Sequence, residues 1–156
     1  MPHLESFSVP QIDVKALVMA TDQFWEYPMC DRDPLPRWSD GRVTLLGDAA
    51  HPMYPMGSNG GSQAILDARV LADALSGEPG IDRALAAYEA ARRPATAALV
   101  HSNRRQGPSE IQTIVEQRAP NGFDRIESVL SRDELAEFSA RYKRLAGFDQ
   151  ATVNAP

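Results

Sequence analysis

Apolar positions recur with helical spacing along most of this chain, and strand-like runs occur at two places. Pro10 followed by Gln11 to Ala20 predicts a short helix with proline near its first turn. Gln23-Phe24-Trp25-Glu26-Tyr27 is short and aromatic-rich, which predicts a strand ended by Pro28. Asp31 to Asp40 holds two prolines among turn formers and predicts a well-defined loop. After Gly41, the nearly continuous apolar run Arg42 to Leu46 predicts a strand buried on both faces. A loop punctuated by glycine and proline then spans His51 to Gly61, and a helix is predicted from about Ser62 to Leu75.

A second helix is expected with Asp82 as its cap, running through Leu85, Tyr88 and Ala91, with Pro94 kinking or interrupting it before helix resumes over Ala95 to Arg105. Gly107-Pro108 breaks the chain, and Ser109 to Gln117 predicts a short helix. Ser131 and Glu134 have capping-box spacing, and Leu135, Phe138, Tyr142 and Leu145 share one face of the helix that follows, expected to be a docking face. Asp149 to Pro156 is expected to fray. The inventory is α/β but α-rich: few strands plus four or five helices. A buried strand needs neighbours on both sides, so this imbalance points to part of a larger fold.

Composition narrows the function classes. Among 156 residues, 43% are hydrophobic and 24% charged, enough for a core and against general disorder. A net charge of −5 opposes a phosphate-binding surface, so nucleic acid is not an expected partner. Cys30 is the single cysteine, which excludes an intrachain disulfide and a Cys-based zinc site; it is read as a small core residue. No run approaches the roughly 18 apolar residues of a membrane span, and the opening MPHLESFSVP lacks the order of a signal peptide. A soluble, cytoplasmic protein with no membrane partner is the default expectation.

The chemistry concentrates in Gly47-Asp48-Ala49-Ala50-His51-Pro52 and its continuation Met53-Tyr54-Pro55-Met56-Gly57-Ser58-Asn59-Gly60-Gly61-Ser62-Gln63. Glycines at 57, 60 and 61 allow close approach of a ligand to backbone N–H groups. A helix starting near Ser62 carries partial positive charge at its N-terminus, which favours an anionic or electron-rich group. Asp48, at the carboxyl end of a strand, is placed where α/β folds bind ligands and is suited to accept hydroxyl hydrogen bonds. The plainer reading is that Asp48 simply caps a turn.

This segment resembles the second flavin-binding motif of the FAD-dependent aromatic hydroxylases, the para-hydroxybenzoate hydroxylase class, in its phenazine-type monooxygenase branch. Trp25-Glu26-Tyr27-Pro28-Met29, Asp31-Arg32-Asp33-Pro34-Leu35-Pro36-Arg37-Trp38, Ala64-Ile65-Leu66-Asp67-Ala68 and Ala87-Tyr88-Glu89-Ala90-Ala91-Arg92-Arg93-Pro94 are similar to that branch as well. The resemblance implies FAD as cofactor, NAD(P)H as co-substrate, O₂ as oxidant and a small aromatic substrate, with no covalent protein nucleophile and no metal. It implies that Asp48 accepts a hydrogen bond from the ribityl chain, that Pro55 lies against the isoalloxazine edge, and that Gly57, Asn59, Gly60, Gly61 and Ser62 form the flavin cradle. Met53, Tyr54 and Met56 would border the substrate. The Gly-x-Gly-x-x-Gly turn that opens such proteins is absent. The chain is therefore expected to be the C-terminal part of a hydroxylase, inactive alone: residues 1–78 a strand-loop-helix segment with the flavin motif, 79–156 a helical region, and the N-terminal dinucleotide-binding part absent.

The competing reading is a non-enzymatic oligomerisation or interaction module, whose partner is a second copy or a complementing N-terminal chain. Several tempting residues are discounted. His51 is read as a structural loop histidine. Arg92-Arg93 is expected to pack along a helix and pair with acids such as Glu89, Arg104-Arg105 to form a solvated face, and Asp31-Arg32-Asp33 to be a self-paired loop.

Overall fold

The computed structural model describes residues 10–105 and 109–153. The expectations for the first nine residues, for Gly107-Pro108 and for residues 154–156 lie outside the described residues. Helix α1 (Val14–Met19) is capped by Asp13, whose side chain accepts from the Ala16 amide at 2.9 Å. Strands β1 (Ser39–Asp40) and β2 (Val43–Thr44) form one antiparallel hairpin. Helix α2 (Gly60–Gly77) packs antiparallel-fashion in sequence order against α3 (Ile81–Arg104), and α4 (Glu110–Arg118), α5 (Arg132–Ala146) and a last turn, α6 (Gln150–Val153), follow. The α-rich inventory with few strands is as the periodicity implies.

The local signals carry through. Helix α2 starts two residues ahead of the expected Ser62. The Ser131–Glu134 capping box forms in full at the start of α5. Helix α3 enters through Gly80 rather than Asp82, which instead sits in the first turn, where its charge suits the helix dipole. Pro94 does not interrupt α3, which runs unbroken for 24 residues. An interior proline costs about 3 kcal/mol, and the buried row Tyr88, Arg92, Thr96 and Leu99 on either side of it offsets that loss. Residues 150–153 form helix instead of fraying.

The strand expectations are corrected. Gln23 to Tyr27 forms no strand, and Phe24, Trp25 and Tyr27 are exposed. Strand propensity needs a partner to complete the ladder, and no described residue supplies one. The run Arg42 to Leu46 pairs over two residues only, with Val43 exposed. Its inward contribution is one-sided: Leu45 packs on the Trp38, Ala50 and Tyr88 core, and the Tyr88 hydroxyl donates to the Leu45 carbonyl at 3.1 Å. Cys30 is exposed, not a core residue, because the aromatic segment beside it is not packed.

The centre between α2 and α3 is ionic. Asp67 is wholly buried and accepts from the Gly47 amide at 3.0 Å, His51 Nε2 at 2.5 Å and Arg92 Nε at 2.7 Å. Arg92 Nη2 also reaches Gln63 Oε1 at 2.5 Å, and Gln63 Nε2 donates to the Ala146 carbonyl at 2.9 Å. Two side chains of α2, Asp67 and Gln63, thereby join the loop before it, α3 and the end of α5. Gly47 sits at φ +60°, and a Cβ there would lie 3.1 Å from Ala64 Cβ, so only glycine brings this amide onto Asp67 without strain.

Burial by itself raises the pKa of Asp67, and the hydrogen bonds from His51, Arg92 and Gly47 outweigh it, leaving the carboxyl below the ordinary aspartate range. A folded-state pKa below the unfolded one adds stability that is complete above the unfolded value, about 3.9, and is lost as pH falls through the folded value. Asp31, Glu89 and Glu134 are lowered in the same sense, so the test is a difference between two chains. Asp67→Ala is expected to lower unfolding free energy at neutral pH by about 3–5 kcal/mol, the loss from stranding buried partners of an ion pair. In urea titrations that gap should narrow as the pH is taken below about 4.

Candidate functional site

The Gly47–Ala49 turn and the loop after it bring the motif to the start of α2. Asp48 is exposed, and its carboxylate has no hydrogen-bond partner among the described residues. Its Oδ1 lies 3.8 Å from where a Cβ on Gly60 would be, so the acid stands beside the first residue of α2. Asn59 precedes the helix and gives it no side-chain cap. The first intrahelical bond is from Gln63 N to Asn59 O, which leaves the amides of Gly60, Gly61 and Ser62 without a helical acceptor. A Cβ on Gly61 would meet nothing within 4 Å. An uncapped end of an 18-residue helix, lined by glycine and flanked by an acceptor carboxylate, can take an electron-rich group on its amides and a hydroxyl on Asp48.

The loop that borders this end is pinned from behind. Asn103 Nδ2 on α3 donates to the Tyr54 carbonyl at 3.2 Å, and the Tyr142 hydroxyl on α5 donates to the Met56 carbonyl at 3.1 Å. The buried Asn59 amide donates in turn to Tyr142 Oη. Burial raises the pKa of Tyr142, with the Asn59 hydrogen bond a smaller opposing effect, so the phenol keeps the proton it donates. Arg32 Nη2 donates to the Ala49 carbonyl at 2.7 Å, tying the preceding loop to the Asp48 turn.

The predicted residues therefore separate into groups. Asp48, Gly60, Gly61 and Ser62 come together at the helix start. Pro55 and Gly57 lie exposed in the loop ahead of it, Gly57 with a left-handed φ of 73°. Met53, Tyr54 and Met56 are half-buried, and the backbones of the latter two are held by α3 and α5. The side chain of Asn59 is turned inward to Tyr142.

Of the discounted clusters, the Arg92-Arg93 pair meets acids as expected, and the other two are resolved differently. Arg93 takes Glu89 at 3.4 Å, as expected, but Arg92 takes Asp67. Arg104 is not a solvated cation: it forks onto Asp31 at 2.7 Å and Asp33 at 2.6 Å, so that loop is not paired with itself. The Arg104 guanidinium beside Asp31 holds its carboxyl below the ordinary range. His51 is buried and structural, as read, with Nε2–H on Asp67 and its ring 5.5 Å from that of Trp38.

Sequence reasoning missed Asp67, Gln63, Asn103 and the polar role of Tyr142. A signal existed for two of them. Gln63 and Asp67 stand four apart in α2, so they share a face with each other.

The geometry leaves a glycine-lined helix start whose first amides lack helical acceptors, with the carboxylate of Asp48 beside it. Residues 11–103 match the FAD binding domain family, and the chain belongs to that family. It is 52% identical over 110 residues to the phenazine 1,6-dicarboxylic acid hydroxylase PhzS of Lysobacter antibioticus, covering 70% of this chain and 27% of the relative. It is 45% identical over 93 residues to 3-hydroxybenzoate 6-hydroxylase 1 of Aquipseudomonas alcaligenes (60% and 24%). With the 3-amino-4-hydroxybenzoate 2-monooxygenase of Streptomyces cremeus it shares 33% over 145 residues (92% and 36%). The chain thus spans about a quarter to a third of the length of these curated relatives. Among the described residues no helix is long and apolar enough to cross a membrane.

Tyr142→Phe should cost about 1–3 kcal/mol, because it leaves the Asn59 amide and the Met56 carbonyl without their shared partner. Chemical denaturation of the variant checks this, and an unchanged midpoint would mean the hydroxyl does not hold the loop.

Proposed function

We propose that this chain carries the isoalloxazine half of the flavin site of a monooxygenase that hydroxylates a small aromatic substrate, using FAD, NAD(P)H and O₂. The observation that carries this is the uncapped start of α2 at Gly60, Gly61 and Ser62 with the unpartnered carboxylate of Asp48 beside it. Membership of the FAD binding domain family supports it, as do relatives named hydroxylases and monooxygenases of aromatic acids. Bound there, FAD would supply the redox chemistry that couples NAD(P)H and O₂ to hydroxylation of the ring, the second oxygen atom leaving as water.

The residues of this chain bind and orient. Asp48 accepts from a ribityl hydroxyl. The Gly60, Gly61 and Ser62 amides face the ring's electron-rich edge, where the helix dipole favours the negative charge of the reduced state. Gly57 and Pro55 shape the loop against the ring, and the backbone of Asn59 completes the turn into the helix. Met53, Tyr54 and Met56 border the aromatic substrate. The remaining contacts to FAD and substrate come from a further part of the protein, in the same chain or a complementing one. A cytoplasmic setting agrees with the nicotinamide requirement.

The exposed aromatic segment Phe24 to Tyr27 is the observation that would favour an interaction module instead. FAD titration followed by flavin fluorescence decides between them. Saturable binding is expected, weakened at least about tenfold in Asp48→Ala by loss of a charge-assisted hydrogen bond. Gly61→Ala should leave the fold intact or stabilise it by up to about 1 kcal/mol, yet weaken FAD binding, since its methyl enters only the ligand's space. Binding indifferent to both substitutions would sink the assignment.

A further inference from the structure

A second ligand-sized space lies away from the start of α2, where the carboxyl end of α3 meets α4 and α5. It holds about 880 Å³, within the range of roughly 300–1,000 Å³ usual for small-molecule sites. Its apolar lining comes from Ala98, Ile111, Phe138, Tyr142 and Leu145. Its charged lining is cationic, with Arg105, Arg141 and Lys143 against the single carboxylate Glu110. Glu110 is already bonded to Arg141, whose guanidinium also stacks 4.9 Å from the centre of the Phe138 ring. Among the described residues neither the Arg105 nor the Lys143 side chain has an ion-pair or hydrogen-bond partner. The wall of this apolar groove therefore carries two cationic side chains free to pair with an anion.

We infer that this groove binds a small aromatic anion, its ring against Phe138, Tyr142 and Ile111 and its acidic group between Arg105 and Lys143. Phe138 and Tyr142 in the lining offer aromatic surface against which a planar ring packs. The cations set the sign of the ligand and reject a neutral ring of the same shape less by sterics than by lost charge pairing. None of the flavin-motif residues lines the groove, so the site is separate from the one at Asp48 and Gly60. Tyr142 belongs to its wall and also holds the Met56 carbonyl, so the groove and the loop share one side chain.

The probe is anilinonaphthalene sulfonate, an aromatic anion whose fluorescence rises on binding, compared with the uncharged N-phenylnaphthylamine. The dye should saturate at one site per chain, and Arg105→Glu combined with Lys143→Glu should weaken it at least about tenfold. Both residues are exposed and their side chains unpaired, so the variant should still fold cooperatively, with only a small drop in thermal midpoint from acids at the carboxyl ends of α3 and α5. The neutral analogue should bind the unaltered chain more weakly and ignore the substitutions. Equal affinity of the charge-reversed chain for the sulfonate would overturn the inference and place the dye elsewhere, for example on the exposed Phe24 to Tyr27 segment. Equal binding of the neutral analogue would reduce the groove to an apolar surface. Dye binding that falls as chain concentration rises, with a dimer in sedimentation, would assign the groove to a second copy.

Discussion

A carboxylate with no access to water cannot stand alone, and Asp67 is such a group. Its three donors come from the loop residue Gly47, from His51 and from Arg92, which belong to different parts of the chain. None of the three can be delivered late without leaving the charge stranded, so the Asp48 turn is fixed only when α2 and α3 are packed. Arg92 brings its own demand, met by Gln63, and Gln63 passes it on to the Ala146 carbonyl at the end of α5. The position of the Asp48 turn thus depends in part on α3 and α5, which contribute no group to the candidate site. Asp67 lies about two turns into α2, so the same helix that presents Gly60 and Gly61 also holds the amide next to Asp48. The separation between acid and helix start is set within one rigid element.

This dependence explains what was legible in the sequence. Features decided by a few neighbouring residues were readable: the capping box at Ser131 and Glu134, the loop from His51 to Gly61, the helix beyond it and the short helix at Val14–Met19. The elements that depend on a distant partner were not. Strand propensity in Gln23 to Tyr27 describes a surface that fits a sheet, and no sheet neighbour is present among the described residues to receive it. The run Arg42 to Leu46 has the same difficulty and settles for a two-residue hairpin with one inward leucine.

Charge pairing followed the same division. Glu89 and Arg93 are one helical turn apart, and that pair was readable. The pairs of Arg92 with Asp67 and of Arg104 with Asp31 and Asp33 cross long stretches of chain, and spacing carries no trace of them. The candidate site could be nominated from the sequence for a different reason. A ligand-binding loop advertises itself through glycines and an acid in linear order, whereas its supports, Asn103 and Tyr142, are ordinary polar residues on ordinary helices.

The glycines themselves separate what the fold requires from what it merely tolerates. Gly47 is required by the chain: its φ is left-handed, and an added Cβ would press on Ala64. Gly61 is not, because an added Cβ there meets open space and its φ is ordinary. In a helix, glycine is less favourable than alanine by up to about 1 kcal/mol, so the fold alone gives no reason for it. Close approach of another molecule to the backbone does give one. Beside Gly61 the helix amides lack acceptors and the nearest carboxylate, Asp48, lacks a donor. Donors without acceptors and an acceptor without a donor thus meet at one helix end beside open space, and the proposed ligand is the single group that would answer all of them.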